Sequence, residues 1–250
     1  DTIGAGATIA FAMECYEKGI ITKKDTGIEL KWGDADAFIA MLEKMNRREG
    51  FGDILADGSK RAADRIGKGS EKYAMHIGGQ DVPAHDPRVS TGFGWGYICD
   101  PTPARHTSSL YKHFHDGGVP FVLGPALKLP YLDPTDAKAN APLFAICSAL
   151  DRFWTSAGLC IFALVPETMP IIEAMSAVTG WNYTLDEAIK TGRRIQALRQ
   201  AFNFREGVRP SEWVLPERLS RVVDFGPFAG RKVDFKIMKE AHEKSGTEIV

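Results

Sequence analysis

The sequence is short of the features that mark several common function classes. It has no excess of either charge: 31 lysines and arginines against 32 aspartates and glutamates leave −1 over 250 residues. That is too even a balance for a surface that attracts nucleic acid or an anionic membrane. No apolar run approaches the roughly 18–20 residues that span a bilayer, and the first residues lack the basic-then-apolar layout of a signal peptide. Only four cysteines occur, Cys15, Cys99, Cys147 and Cys160, scattered without a Cys-x-x-Cys. This excludes a dense disulfide framework and points to a reducing, cytoplasmic compartment. A glycine-rich phosphate loop, a Gly-x-Ser-x-Gly elbow and internal repeats are also missing. What is plentiful is apolar residue, 44% of the chain, enough to fill one large domain or two smaller helical ones.

The chain is organised around the stretch from Asp136 to Phe162. Leu143, Ile146, Cys147, Leu150, Phe153 and Trp154 recur at spacings of three and four, and from Ala137 to Trp154 only Lys138, Asp151 and Arg152 are charged. The pattern predicts a mostly buried helix. Gly158 can adopt the left-handed conformation that stops it, which places Cys160 just beyond the turn. A thiolate held by a rigid apolar element at a dry turn suits a soft metal. A buried core cysteine is the plainer alternative.

Other helices follow from similar signals. Thr2 to Lys18 is rich in small and apolar residues and ends at Gly19; Gly33-Asp34 caps an amphipathic helix with Ala37, Phe38, Met41, Leu42 and Met45 on one face. Asp53 to Ile66 reads as a third helix with Gly58 as a weak point. A short helix is expected between Pro166 and Thr179. Thr184-Leu-Asp-Glu187 is a capping box for a helix to about Asn203, with Ile189, Ile195, Leu198, Ala201 and Phe202 expected inward and Arg193, Arg194 and Arg199 outward. A last helix covers about Asp234 to Lys244. The only visible boundary lies near residues 130–136, giving expected domains 1–133 and 134–250.

Between Met75 and Pro130 glycine and proline are frequent and helical periodicity is weak, so this stretch reads as loop. Val89 to Ala104 nevertheless carries a single charge, Asp100, and so predicts a buried loop lining a ligand site. Five of the six histidines lie in this middle stretch. His106 sits in Asp100-Pro-Thr-Pro-Ala-Arg-His106, where an imidazole fixed by two prolines can act as general acid or base. His113 and His115 would share a face of an extended chain and could bind zinc or iron, but their spacing matches no closed zinc motif.

Several short motifs occur together and in order: Asp1-Thr-Ile-Gly-Ala-Gly-Ala-Thr-Ile-Ala-Phe-Ala-Met-Glu14, Trp32-Gly-Asp34, Arg48-Glu-Gly50, His85-Asp-Pro-Arg88, Asp100-Pro-Thr-Pro-Ala-Arg-His-Thr107, Gly158-Leu-Cys160, Phe202-Asn-Phe-Arg-Glu-Gly207 and Leu215-Pro-Glu-Arg218. Taken together the chain resembles the tungsten-containing aldehyde:ferredoxin oxidoreductase family over nearly its whole length. The resemblance implies a mostly α fold of two helical subdomains with long buried loops, the C-terminal domains 2 and 3 of that family. It implies tungsten (or molybdenum) held by two pterins beside a 4Fe-4S cluster, oxidation of aldehydes to carboxylates, and ferredoxin or another electron carrier as partner.

Carried over by position, the resemblance makes Cys160 a cluster ligand and His106 the histidine near the metal. Asp1 falls at the last acid of one pterin-binding motif, and Gly158 and Leu159 with Cys160 close the second. In that second motif the expected acid falls on Thr155. The family's other cluster cysteines and its N-terminal β domain would precede Asp1, so the resemblance implies a fragment, inactive by itself and possessing only one of the thiolates a cluster needs. Two alternatives stand beside this reading: a fragment of a related aromatic acyl-coenzyme A reductase, and a non-catalytic helical scaffold or subunit-contact module, with a homo-oligomer compatible with any of them.

Overall fold

The computed structural model describes residues 1–107, 132–133, 136–160 and 170–247. Among these residues the chain is mostly α-helical, with one two-stranded sheet. It forms two compact units, Asp1–His85 with Val214–Leu219, and Asp86–Trp213 with Ser220–Val250. The division drawn from the sequence at 133/134 falls inside the second of these.

In the first unit, α1 (Thr2–Glu17), α2 (Lys23–Thr26), α3 (Ala35–Arg47), α4 (Phe51–Leu55) and α5 (Ser59–Ile66) precede a hairpin of β1 (His76–Ile77) and β2 (Gln80–Asp81). The strands are antiparallel, His76 opposite Asp81, and Gly78 and Gly79 both take positive φ, as a two-residue hairpin turn requires. Asp1 caps α1 and Asp34 caps α3 through side-chain bonds to backbone amides. The helix expected over Asp53–Ile66 is two helices. Gly58 between them has φ +90°, a conformation that breaks the helix where propensity was weakest. Ile9, Ala12, Cys15, Leu30, Met41, Leu55 and Ala62 fill the core without exposure. Gly52 is needed at the α3–α4 contact, because a Cβ there would lie 2.2 Å from the Lys44 main chain. Asp81 ties the hairpin down, accepting from the Thr8 hydroxyl at 2.9 Å and the Ser59 amide at 3.2 Å.

The second unit contains α6 (Thr91–Cys99), α7 (Ala137–Ser156), α8 (Ile171–Thr179), α9 (Leu185–Arg205) and α10 (Phe235–Thr247). The central helix is present as expected, and it continues through Pro142. It packs against both α9 and α10, while α6 packs on α10. Trp95 of α6 stacks on Phe144 of α7 with ring centroids 5.3 Å apart. The segment read as a buried loop is in part the helix α6. It is buried nearly all round, so its apolar residues show no period. Gly94 serves close packing instead of a turn: a Cβ there would meet the Phe235 ring at 2.2 Å.

The inward face of α9 also differs from the expectation. Leu198 is 71% and Phe202 56% exposed, whereas Ala188 and Gly192 are buried and Gln196, Arg199 and Asn203 reach into the unit. Those positions follow one another at three- and four-residue steps, a regular helix face. From Gln196 onward the face is polar because it meets the Asp100 carboxylate and the loop after it. The start of α8 at Ile171 follows Pro170; residues 161–169, which include Pro166, lie outside the described residues, as do His113 and His115.

Candidate functional site

The turn after α7 is built in three steps. Gly158, with φ +83°, stops the helix; the Gly158 amide bonds to the Thr155 carbonyl at 3.1 Å. The Trp154 indole, itself buried, then donates from Nε1 to the Cys160 carbonyl at 3.1 Å. A rigid aromatic side chain thus fixes the backbone of Cys160 relative to the helix. The Cys160 side chain is exposed and carries no disulfide, so the dry turn expected from the sequence is corrected: the thiol faces solvent. Leu159 is half-buried, and Thr155 and Gly158 are exposed.

His106 lies at the end of the loop that follows α6. It is half-buried and meets the Phe93 ring edge-on, with centroids 6.4 Å apart. Pro101 and Pro103 restrict the loop, and Ala104 takes φ +57° while its amide bonds to the Tyr97 carbonyl at 3.1 Å. Arg105 beside it is exposed.

Between the loop and α7 lies a group of buried charges. The Asp100 side chain is fully buried; its carboxylate accepts from the Thr102 amide at 2.9 Å, from Arg199 Nη2 at 3.2 Å and from Gln196 Nε2 at 3.3 Å. Arg152 Nη2 lies 3.6 Å from Asp100 and pairs with Asp151. Arg199 also donates to the Thr102 hydroxyl, and Asn203 Nδ2 to the Pro101 carbonyl at 2.7 Å. Burial pushes the Asp151 carboxyl up to about 6, with Arg152 pulling it down and Asp100 pushing it further up. On α10, burial pushes His242 down to about 4, against the pull of Asp100. Sequence reasoning placed Arg199 on a solvated face and did not connect it with Asp100. The available signal was Asp151-Arg152, an adjacent charged pair within a helix otherwise nearly free of charge.

Asp1 belongs to the first unit. Its carboxylate accepts from the Ile3 and Gly4 amides at 2.9 and 3.1 Å, so it has a structural task as a helix cap whatever else it binds. The same unit contains a fork in which Arg218 Nη1 donates to Glu14 Oε2 at 3.0 Å.

The residues fit a shared metal site as one partner among several. An exposed thiol on an anchored main chain is the donor type an iron–sulfur cluster takes, but one cysteine cannot hold a cluster. Among the described residues no three His, Cys, Asp or Glu side chains are grouped to hold a metal ion, and no helix there is long and apolar enough to cross a membrane.

Among the described residues the chain is a mostly helical fold whose central helix is stopped by Gly158 and followed by an exposed cysteine. Residues 1–244 match the aldehyde ferredoxin oxidoreductase family in its domains 2 and 3, and the chain belongs to that family. It is 33% identical over 251 aligned residues to the tungsten-containing aldehyde ferredoxin oxidoreductase of Pyrococcus horikoshii, covering 98% of this chain and 40% of that protein. It is also 33% identical to the WOR-like subunit of an aliphatic sulfonate oxidoreductase from Pyrococcus furiosus, over 80% of this chain and 29% of that protein. The fold is similar to that of the active site complex of benzoyl coenzyme A reductase, with TM-score 0.65 and 19% identity, over 100% of this chain and 45% of that one. The chain thus spans less than half the length of each of these proteins.

Proposed function

We propose that this chain is the C-terminal portion of a tungsten (or molybdenum) pterin oxidoreductase that oxidises aldehydes to carboxylates and passes electrons through a 4Fe-4S cluster to ferredoxin. The observation that carries the reading is the joint one: the family match runs from Asp1 through the Cys160 turn, and at that turn Trp154 holds the main-chain carbonyl of an exposed cysteine. In this reading Cys160 Sγ is one cluster ligand, and Gly158 and Leu159 bring the main chain beside a pterin. Asp1 contacts the other pterin with the carboxylate oxygen not committed to capping. When bound, the metal centre supplies Lewis acidity toward the carbonyl and takes up the electron pair. His106 accepts a proton from the attacking water at a ring nitrogen, a role for which imidazole is suited near neutral pH. In the whole reaction an aldehyde and water give a carboxylate, two electrons and three protons. By itself the 250-residue chain is inactive, because it offers one thiolate where a cluster needs several.

The test is metal and acid-labile sulfide analysis of the full-length native protein, followed by assays with aldehydes, an aliphatic sulfonate and an aromatic acyl-coenzyme A. Tungsten or molybdenum with about four irons per chain and aldehyde-dependent reduction of ferredoxin are expected. Activity with the acyl-coenzyme A alone would replace the substrate assignment, and a metal-free native protein would make the chain a scaffold.

A further inference from the structure

The C-terminal half of the inner face of α9, from Gln196 to Asn203, meets one short segment of the neighbouring loop. Gln196 and Arg199 bond to Asp100, Arg199 also to Thr102, and Asn203 to the carbonyl of Pro101. Arg152 approaches Asp100 from α7. Burying charges this way is a poor route to stability, since well-packed apolar side chains of similar size usually do as well or better. Apolar side chains are present on this helix, yet Leu198 and Phe202 point outward. The loop so held also contains Ala104 at φ +57°, a conformation that costs a non-glycine residue about 1 kcal/mol or more and persists only where its surroundings impose it. The next two residues are Arg105 and His106.

We propose that Arg199 and Asn203 are positioning residues that clamp the Asp100–Ala104 loop and thereby set where His106 stands. Arg199 is the main part of the clamp, because its planar guanidinium reaches Asp100, Thr102 and Gln196 Oε1 together. Asn203 fixes the one main-chain carbonyl between them. The catalytic half of this inference rests on the role assigned to His106 above; the clamp itself does not.

The experiment uses the full-length holoenzyme with the variants Arg199→Met, Arg199→Lys and Asn203→Leu, Leu198→Ala as a control on the outer face, and His106→Ala. In Arg199→Met and Asn203→Leu, amide hydrogen exchange over residues 101–107 should rise about tenfold or more, while tungsten and iron content stay at wild-type values. With the loop loosened, kcat should fall about 10- to 100-fold and KM change less than about twofold, since small misplacements of a catalytic group act on the chemical step. Arg199→Lys should recover part of kcat, because an ammonium still meets Asp100 but cannot also bind Thr102 and Gln196. Leu198→Ala should match the wild type. Unchanged exchange over 101–107 in both Arg199→Met and Asn203→Leu would overturn the clamp. Unchanged kcat in both, with His106→Ala reduced about 100-fold or more, would overturn its catalytic consequence. A wild-type kcat in His106→Ala would overturn the reading of His106, leaving exchange to decide the clamp.

Discussion

Gly192 and Ala149 are in backbone contact: a Cβ built on Gly192 would lie 1.8 Å from the Ala149 carbonyl oxygen. The α7–α9 interface therefore has no room for a side chain at this position, and neither partner atom is a flexible side-chain end that could move aside. Gly192→Ala should destabilise the chain by about 3 kcal/mol or more, above the usual helix gain from glycine to alanine. Thermal unfolding measures it; a rise in Tm would mean that the two helices are not in this contact.

Asp151 and His242 should make opposite contributions to stability in one pH window. Asp151, raised from 3.8 to about 6 by burial, keeps a proton between about pH 4 and 6 that the unfolded chain has released. Its term therefore lowers stability as pH rises through that window, by up to about 3 kcal/mol. His242, lowered from 6.5 to about 4 by burial, refuses a proton that the unfolded chain accepts below 6.5, so its term lowers stability as pH falls, by a similar amount. Asp151→Asn should make stability climb more steeply with pH than in wild type, and His242→Gln less steeply. Urea midpoints at about pH 4.5 and about pH 7 read the two slopes; three parallel profiles would contradict both assignments.

The Glu14–Arg218 fork fastens the Val214–Leu219 segment to α1 within the first unit. Glu14 is well covered while Arg218 is partly exposed, so Arg218→Met should cost about 1–2 kcal/mol, in line with a charge-assisted pair at intermediate exposure. In a double-mutant cycle with Glu14→Gln, the combined loss should be smaller than the sum of the single losses. Additive losses would show that the two side chains do not interact.

The four thiols should differ sharply in reactivity. Burial pushes Cys15 up to about 12, with Glu14 adding to it, and raises Cys99 and Cys147 well above the ordinary range; only Cys160 is exposed. Since the thiolate is the reactive form, a thiol reagent should label one cysteine rapidly in the native 250-residue chain and all four after unfolding. Peptide mapping that placed the fast label elsewhere than Cys160 would contradict the turn.

Much of the helical scheme was legible because it is written in local chemistry. Asp34 and Thr184 cap their helices as expected, Gly158 stops α7, and the position of Cys160 follows from that stop. What was not legible depends on partners distant in the chain. The glycines of α6 read as loop until Phe235 is seen lying against Gly94. The inner face of α9 was assigned by hydrophobicity, which fails where the facing group is a buried carboxylate such as Asp100. His106 could be named as a candidate from its proline-bounded loop, but the side chains that hold that loop come from α7 and α9. No spacing rule connects those three segments.

The return of Val214–Leu219 to the first unit has a consequence for biosynthesis. Because translation is vectorial and domains tend to fold as their residues emerge, helices α1 to α5 can assemble early, but Glu14 must wait for Arg218, which is made only after the whole of α6 to α9. The first unit is thus begun first and closed late, with an acidic side chain of α1 held open across the synthesis of its neighbour. A stretch of coding sequence ending before Val214 would deliver that unit without its latch.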